Sequence, residues 1–179
     1  MTLALLAGGL LSYTFVKNGY FPVAKIGGKF ISYKTIKENA DVSKRIYSNG
    51  LAGASPEMEL IFKRGNENLL FKNVFESLIT NEIIKSAATG DLLSKAQKEM
   101  KSGFDDKNTA NLASLVREVY GWDVPKFTER ILEPQALLDV ITKEKGESFN
   151  DWLEFSKKSA DVSIWFVPFE WKEGKLIGK

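Results

Sequence analysis

Apolar side chains recur along this chain at two periods, and the switch between them lays out the elements. The strongest signal lies between Asn66 and Ala88. There Leu70, Val74 and Leu78 form one row at i, i+4 spacing, and Phe71, Phe75, Ile79 and Ile83 form a second. Two adjacent rows make a wide apolar face, which predicts a central helix packed on several sides. Gly90 is expected to end it and Asp91 to cap a more polar helix to about Lys101. Gly103 to Asp106 break the chain, and a further helix runs from about Lys107 to Tyr120. Gly121 then takes the left-handed C-terminal position. Asp123 caps the next helix, with Pro125 in its first turn, and the pattern reaches about Lys145 with a bend near Pro134. Ser148 opens a last helix that carries Trp152, Leu153 and Phe155.

Shorter β signals flank this helical stretch. Val23 to Ile26 and Phe30-Ile31, joined by Gly27-Gly28, read as a small hairpin whose glycines supply the positive φ of a tight turn. Ser32 caps a helix to about Ser48, stopped by Asn49-Gly50, and a loop leads to Ala54. Ser55, Pro56 and Glu57 begin another helix, interrupted near Gly65. Asp161 to Val167 is a β-rich run halted by Pro168. It is expected to pair with the hairpin, because an isolated two-stranded ribbon is marginal in water. The fold class is therefore mainly α with a small β-hairpin or three-stranded patch. One domain covers residues 22–168, and 169–179 are read as a polar tail.

The first twenty-one residues change the picture. Thr2 to Val16 carry no charge. As a helix, that run covers about 22 Å, short of the roughly 30 Å hydrocarbon core. Counting Lys17 as a snorkelling residue and ending at Phe21 extends it to about 30 Å, which spans. The segment 1–21 is read as a membrane helix retained as an anchor, with a cleaved signal peptide or a buried helix as alternatives. The chain has no Cys, so a lipoprotein anchor is excluded. Nothing basic precedes the run, whereas Lys17, Lys25 and Lys29 follow it, and this charge pattern alone does not set the side of the membrane.

Composition narrows the chemistry further. The 44% hydrophobic and 27% charged fractions are those of a globular chain rather than a disordered one. Formal net charge is +2 with no clustered basic face, so nucleic acid is not an expected partner. His and Cys are both absent. That removes Ser-His-Asp triads, Cys nucleophiles and His- or Cys-ligated zinc, and no metal or cofactor is expected. Gly27-Gly28 lacks any phosphate-loop context. Asp105-Asp106 is read as a cap and turn, Glu57 and Glu59 as acids favoured by a helix dipole, and Lys63-Arg64 and Lys157-Lys158 as solvated faces. No carboxylate pair argues for glycoside chemistry.

What remains is apolar surface. Met58, Ile61 and Phe62 lie on the short helix beside the central one, and Phe71, Phe75, Trp122 and Phe127 are placed to complete a cleft with them. Such a cleft buries apolar side chains of a polypeptide without reading its sequence. The competing reading makes all seven residues core.

Phe21 to Ile36, with its Val23-Ala-Lys-Ile26, Gly27-Gly28 and Ile31-Ser32, resembles the opening of the SurA, PpiD and PrsA class of extracytoplasmic chaperones. Their N-terminal domains begin "V-A-x-V-N-G-x-x-I-S" and run into helices. Leu69 to Ala88 followed by Gly90 is similar to that family's "L…L-I…-I…-A" helix and its "G-I". Val119 to Ile131 is similar to a "Y-G-W-x-x-x-x-F-x-x-x-[IV]" stretch of bacterial SurA-N-like proteins. The resemblance covers roughly Val23 to Asp139, with Gly27 in place of the usual Asn. It implies a membrane-anchored extracytoplasmic chaperone-like module, a single-pass protein binding unfolded or partly folded polypeptide with no chemical step. Many family members carry a parvulin isomerase domain after the helices. Here about forty residues follow Pro134 and no His is present, so isomerase activity is not expected. The alternatives are an auxiliary or degenerate member of a peptidyl-prolyl isomerase system working with a separate foldase, or a dedicated assembly-partner subunit.

Overall fold

The computed structural model describes residues 16–50, 56–62, 65–102 and 109–179. Strands β1 (Pro22–Ile26) and β2 (Lys29–Ser32) form the first hairpin. Gly27 and Gly28 both take positive φ in its turn, as a two-residue hairpin connection requires. Helix α1 (Tyr33–Ser48) starts where the Ser32 hydroxyl accepts the Thr35 amide. Helices α2 (Pro56–Phe62), α3 (Glu67–Ala87), α4 (Gly90–Ser102) and α5 (Thr109–Val119) follow. Gly90 begins α4 rather than ending α3; the break falls at Ala88, which has extended backbone.

Helix α6 (Val124–Phe127) passes without interruption into a π turn (Thr128–Leu132) and then α7 (Glu133–Lys145). The expected bend near Pro134 takes the form of this π turn. The Glu133 amide donates to the Thr128 carbonyl, five residues back. Pro134 has no N–H and its ring crowds the carbonyl four residues earlier, so the widened turn gives up less than it would elsewhere in the helix. Helix α8 (Phe149–Ser159) leads to β3 (Val162–Ile164), and β4 (Phe169–Lys172) and β5 (Lys175–Gly178) close the chain.

β3 pairs antiparallel with β1, giving a three-stranded sheet in the order β2-β1-β3. Residues 169–179 are not a polar tail. Glu173 and Gly174, both at positive φ, turn β4 into β5, and Leu176 is fully buried. Trp171 Nε1 donates to the Lys157 carbonyl at 3.2 Å and ties this second hairpin to α8.

The expected membrane helix is corrected. Among the described residues no helix is long and apolar enough to cross a membrane. The span needed helix as far as Phe21, but the chain leaves helical conformation at Asn18. Gly19 follows at φ +71, and its carbonyl accepts the Lys34 amide at 2.7 Å. Phe21 then stacks on Tyr33 and Pro22 begins β1. Residues 1–15, which carry most of the apolar run, lie outside the described residues, as do Lys63, Arg64, Asp105 and Asp106.

Three clusters form the interior. The first joins the inner sheet face (Ala24, Ile26, Ile31) to Ile36, Phe75, Ile79, Ile83 and Leu176. The second packs Ile84 of α3 against Leu92 and Ala96 of α4 and Leu137, Val140 and Ile141 of α7. The third holds Val42, Val116, Trp122 and Phe127. Helix α3 is the common wall of the first two, and its neighbours Ile83 and Ile84 point into different clusters.

Candidate functional site

The residues singled out from the sequence do not converge on one cleft. Phe75 is fully buried in the first cluster, and Phe71 packs against that cluster between Tyr33, Phe75 and Phe169. Trp122 and Phe127 are buried in the third cluster, beside Tyr120. Ile61 and Phe62 are half-buried and line a separate shallow recess with Lys44, Tyr47 and Leu70, where Phe62 stacks on Tyr47 at 4.4 Å. The Met58 side chain lies outside the described residues.

A groove forms elsewhere, between α3, α4 and the start of α7. Its floor is Ile84, Ala96 and Leu137, all buried members of the second cluster. Its walls are the half-buried Leu78, Leu93, Met100 and Pro134. The cavity is about 240 Å³, below the roughly 300–1,000 Å³ of small-molecule pockets. It is the size for one or two apolar side chains rather than for a whole cofactor. Met100 among the walls has an unbranched, polarizable side chain that adapts to varied shapes.

The rim carries both signs of charge. Lys85 Nζ lies 3.7 Å from the Glu133 carboxylate, linking α3 to α7 across one end. Two exposed pairs, Lys95–Glu144 at 3.0 Å and Lys143–Glu99 at 3.2 Å, clip α4 to α7 behind the groove. Exposed pairs of this kind contribute about 0–1 kcal/mol each, so the packed floor and not the ion pairs sets the geometry.

Arg130 is the unusual member. Its Nε is buried and makes no hydrogen bond; the Glu129 carboxylate stands 3.6 Å away, too long to satisfy it. A buried donor left unpaired costs about 1–3 kcal/mol. The π turn that presents Arg130 is itself a feature frequently found at functional sites.

The sequence did not single out these lining residues. Leu78, Leu93 and Leu137 each read as ordinary core-facing positions of their own helices, and only Pro134, inside a helical pattern, marked an irregularity there. Among the described residues no group of three or more His, Cys, Asp or Glu side chains is placed to hold a metal ion. No family model, curated protein or solved structure matches the chain.

Proposed function

We propose that this chain is a chaperone-like binding module that holds apolar segments of non-native polypeptide in the groove between α3, α4 and α7, with no chemical step. The observation that carries this reading is the groove's make-up: an apolar floor of side-chain size, a flexible Met100 among its half-buried walls, and the half-buried Arg130 beside them. Every peptide offers what such a site takes, an apolar side chain for the floor and a backbone carbonyl for the half-buried Arg130 guanidinium that lines the groove. Neither contact reads sequence, so clients are broad and individual affinities weak. Burial supplies about 25 cal/mol per Å² of apolar surface, less the cost of ordering the client. The resemblance of residues 23–139 to SurA-class chaperone domains points to the same activity and enters here as support from the sequence.

The test is suppression of aggregation of a chemically unfolded protein by the full chain. Leu93→Glu and Met100→Glu place charges in the groove, and Phe62→Ser alters the separate recess. Circular dichroism checks that each variant keeps its helix. Suppression by the parent and by F62S, lost in folded L93E and M100E, is the expected result. A parent without effect at several-fold excess rules out general client binding and leaves a single dedicated partner as the reading to pursue.

A further inference from the structure

The outer face of the three-stranded sheet and the turn beside it carry an exposed aromatic and basic patch. Across the ladder Phe30 stands opposite Lys25, and Lys25 opposite Ser163, so all three share the face turned away from the core. Trp165 follows just beyond the end of β3, and its amide donates to the Val23 carbonyl at 2.9 Å. Phe30 is 63% exposed, Trp165 37% and Phe166 80%. Phe166 sits at φ +59, a left-handed conformation that bulky L residues avoid, and its ring meets Phe21 edge-on at 6.3 Å. The backbone thus accepts an unfavourable geometry while the ring remains in solvent, an outlier of the kind that marks binding surfaces.

Charge is polarised the same way. The first 37 residues hold Lys17, Lys25, Lys29, Lys34 and Lys37 and no acid, for a net of +5. The remaining 20 of the 25 basic side chains are outnumbered by all 23 acids, for a net of −3. The strands β1, β2 and β3 contain no Asp or Glu. The uncharged run Thr2 to Val16 joins the fold at this end, where Val16 and Tyr20 are exposed and Phe21 touches Phe166.

We propose that this patch, formed by Phe30, Trp165, Phe166 and the lysines Lys25 and Lys29, seats the folded domain on an anionic lipid surface. Exposed Trp and Phe rings enter the headgroup region, where amphipathic aromatics are enriched, while lysines neutralise the anionic headgroups. An acidic protein would complement the lysines equally well. The exposed Phe30, Trp165 and Phe166 rings beside them, however, are an apolar surface that lipid accepts and an acidic surface does not. The contact is peripheral and independent of the groove, which lies between α3, α4 and α7.

The experiment is flotation of the full chain with vesicles of phosphatidylcholine alone and of phosphatidylcholine with phosphatidylserine. Binding to the anionic vesicles alone is expected, weakened at least roughly tenfold by K25E/K29E, since each surface lysine contributes appreciably to anionic-membrane affinity. Both lysines and Phe166 are exposed, and matching thermal melts confirm folded variants. F166S gives a second route at unchanged charge and is expected to weaken binding as well. Brominated lipid quenches the parent's fluorescence, and W165F loses most of that quenching, because Trp122 is buried and Trp152 and Trp171 are half-buried against the second and first clusters. Equal binding to both lipids, or K25E/K29E and F166S binding as the parent does, overturns the proposal. Self-association without lipid that K25E/K29E abolishes would assign the patch to a second copy of the chain and overturn it too.

Discussion

Replacing Pro134 with Ala tests what holds the π turn that shapes the groove. Proline inside a regular helix costs about 3 kcal/mol relative to Ala, so a turn imposed by proline alone would relax in the variant and release that amount. Packing argues against relaxation. Returning to α register removes one residue from the turn and rotates everything on one side by about 100° relative to the other. On the N-terminal side Phe127, Ile131 and Leu132 pack into the third cluster. On the C-terminal side Leu137, Val140 and Ile141 are buried in the second. Exposing three such aliphatic side chains costs about 1.5–3 kcal/mol each, or about 5–9 kcal/mol together, which exceeds the proline penalty. The cores win, and the turn persists in P134A. What the new amide can add is part of one hydrogen bond, about 0.5–1.5 kcal/mol. The less restricted unfolded chain takes back about 0.4–1 kcal/mol. Stability therefore changes by no more than about 1 kcal/mol, a Tm shift within about 4 °C at this chain length. Calorimetry measures the shift, and scalar coupling across the hydrogen bond from the Glu133 amide to the Thr128 carbonyl reports the turn itself. A rise of about 6 °C or more with loss of that coupling would show that proline, not the cores, sets the register.

Two further outcomes are within reach of simple variants. Gly121 sits at φ +67 after α5, and a Cβ there would run into the Arg45 guanidinium. G121A is expected to lose about 1–2 kcal/mol for the left-handed backbone plus a steric share, in urea unfolding. An R45A background removes the steric share alone, and no loss in either background would refute the left-handed cap. At the surface, the Lys158 ammonium hydrogen-bonds the Glu154 carboxylate one turn earlier and holds its pKa below the ordinary glutamate value, while Glu154 holds Lys158 above the ordinary lysine value. A depressed folded pKa means the contribution is present above the ordinary glutamate pKa and lost as pH falls through the folded one. Carboxyl titration by NMR should place Glu154 below the ordinary range and K158A should return it; a parent value at or above that range contradicts the pairing.

How legible these features were depends on how local their causes are. The limits of α1 follow from the Ser32 hydroxyl and from Asn49-Gly50, contacts within four residues, and both are readable in the sequence. The pairing of β3 with β1 was legible for a different reason: a lone hairpin is marginal, and Val162–Ile164 was the one β-rich run placed to complete it. The β4–β5 hairpin was not. Its apolar positions Phe169, Trp171 and Leu176 are separated by charges, and its turn puts Glu173 in a left-handed conformation that sequence preference argues against. The aromatics were legible as apolar anchors but not by destination. Phe71 and Trp122 look alike along the chain and pack in different clusters, because the assignment depends on α1 packing against both α3 and α5. The groove was hidden for the same reason: its walls come from three helices, and apart from Pro134 none of its residues departs from its own helical pattern.

The position of the groove follows from α3 serving two interiors at once. Seven apolar positions in adjacent rows, with Ile84 as an eighth beside them, are more than one face can bury, so Phe75, Ile79 and Ile83 turn toward the sheet while Ile84 turns toward α4 and α7. Leu78 belongs to the edge of the first cluster and yet lines the groove with Ile84 of the second. The groove is thus the seam between the two clusters. A side chain entering a core must displace close-packed neighbours, and overpacking costs about 1–3 kcal/mol. A side chain entering a seam displaces only solvent, so a visiting segment gains burial without loosening either interior. Core variants such as Phe75→Ala therefore bear on stability alone, while Leu93→Glu and Met100→Glu on the seam bear on binding. That separation is what makes the proposed polypeptide site testable in a chain that stays folded.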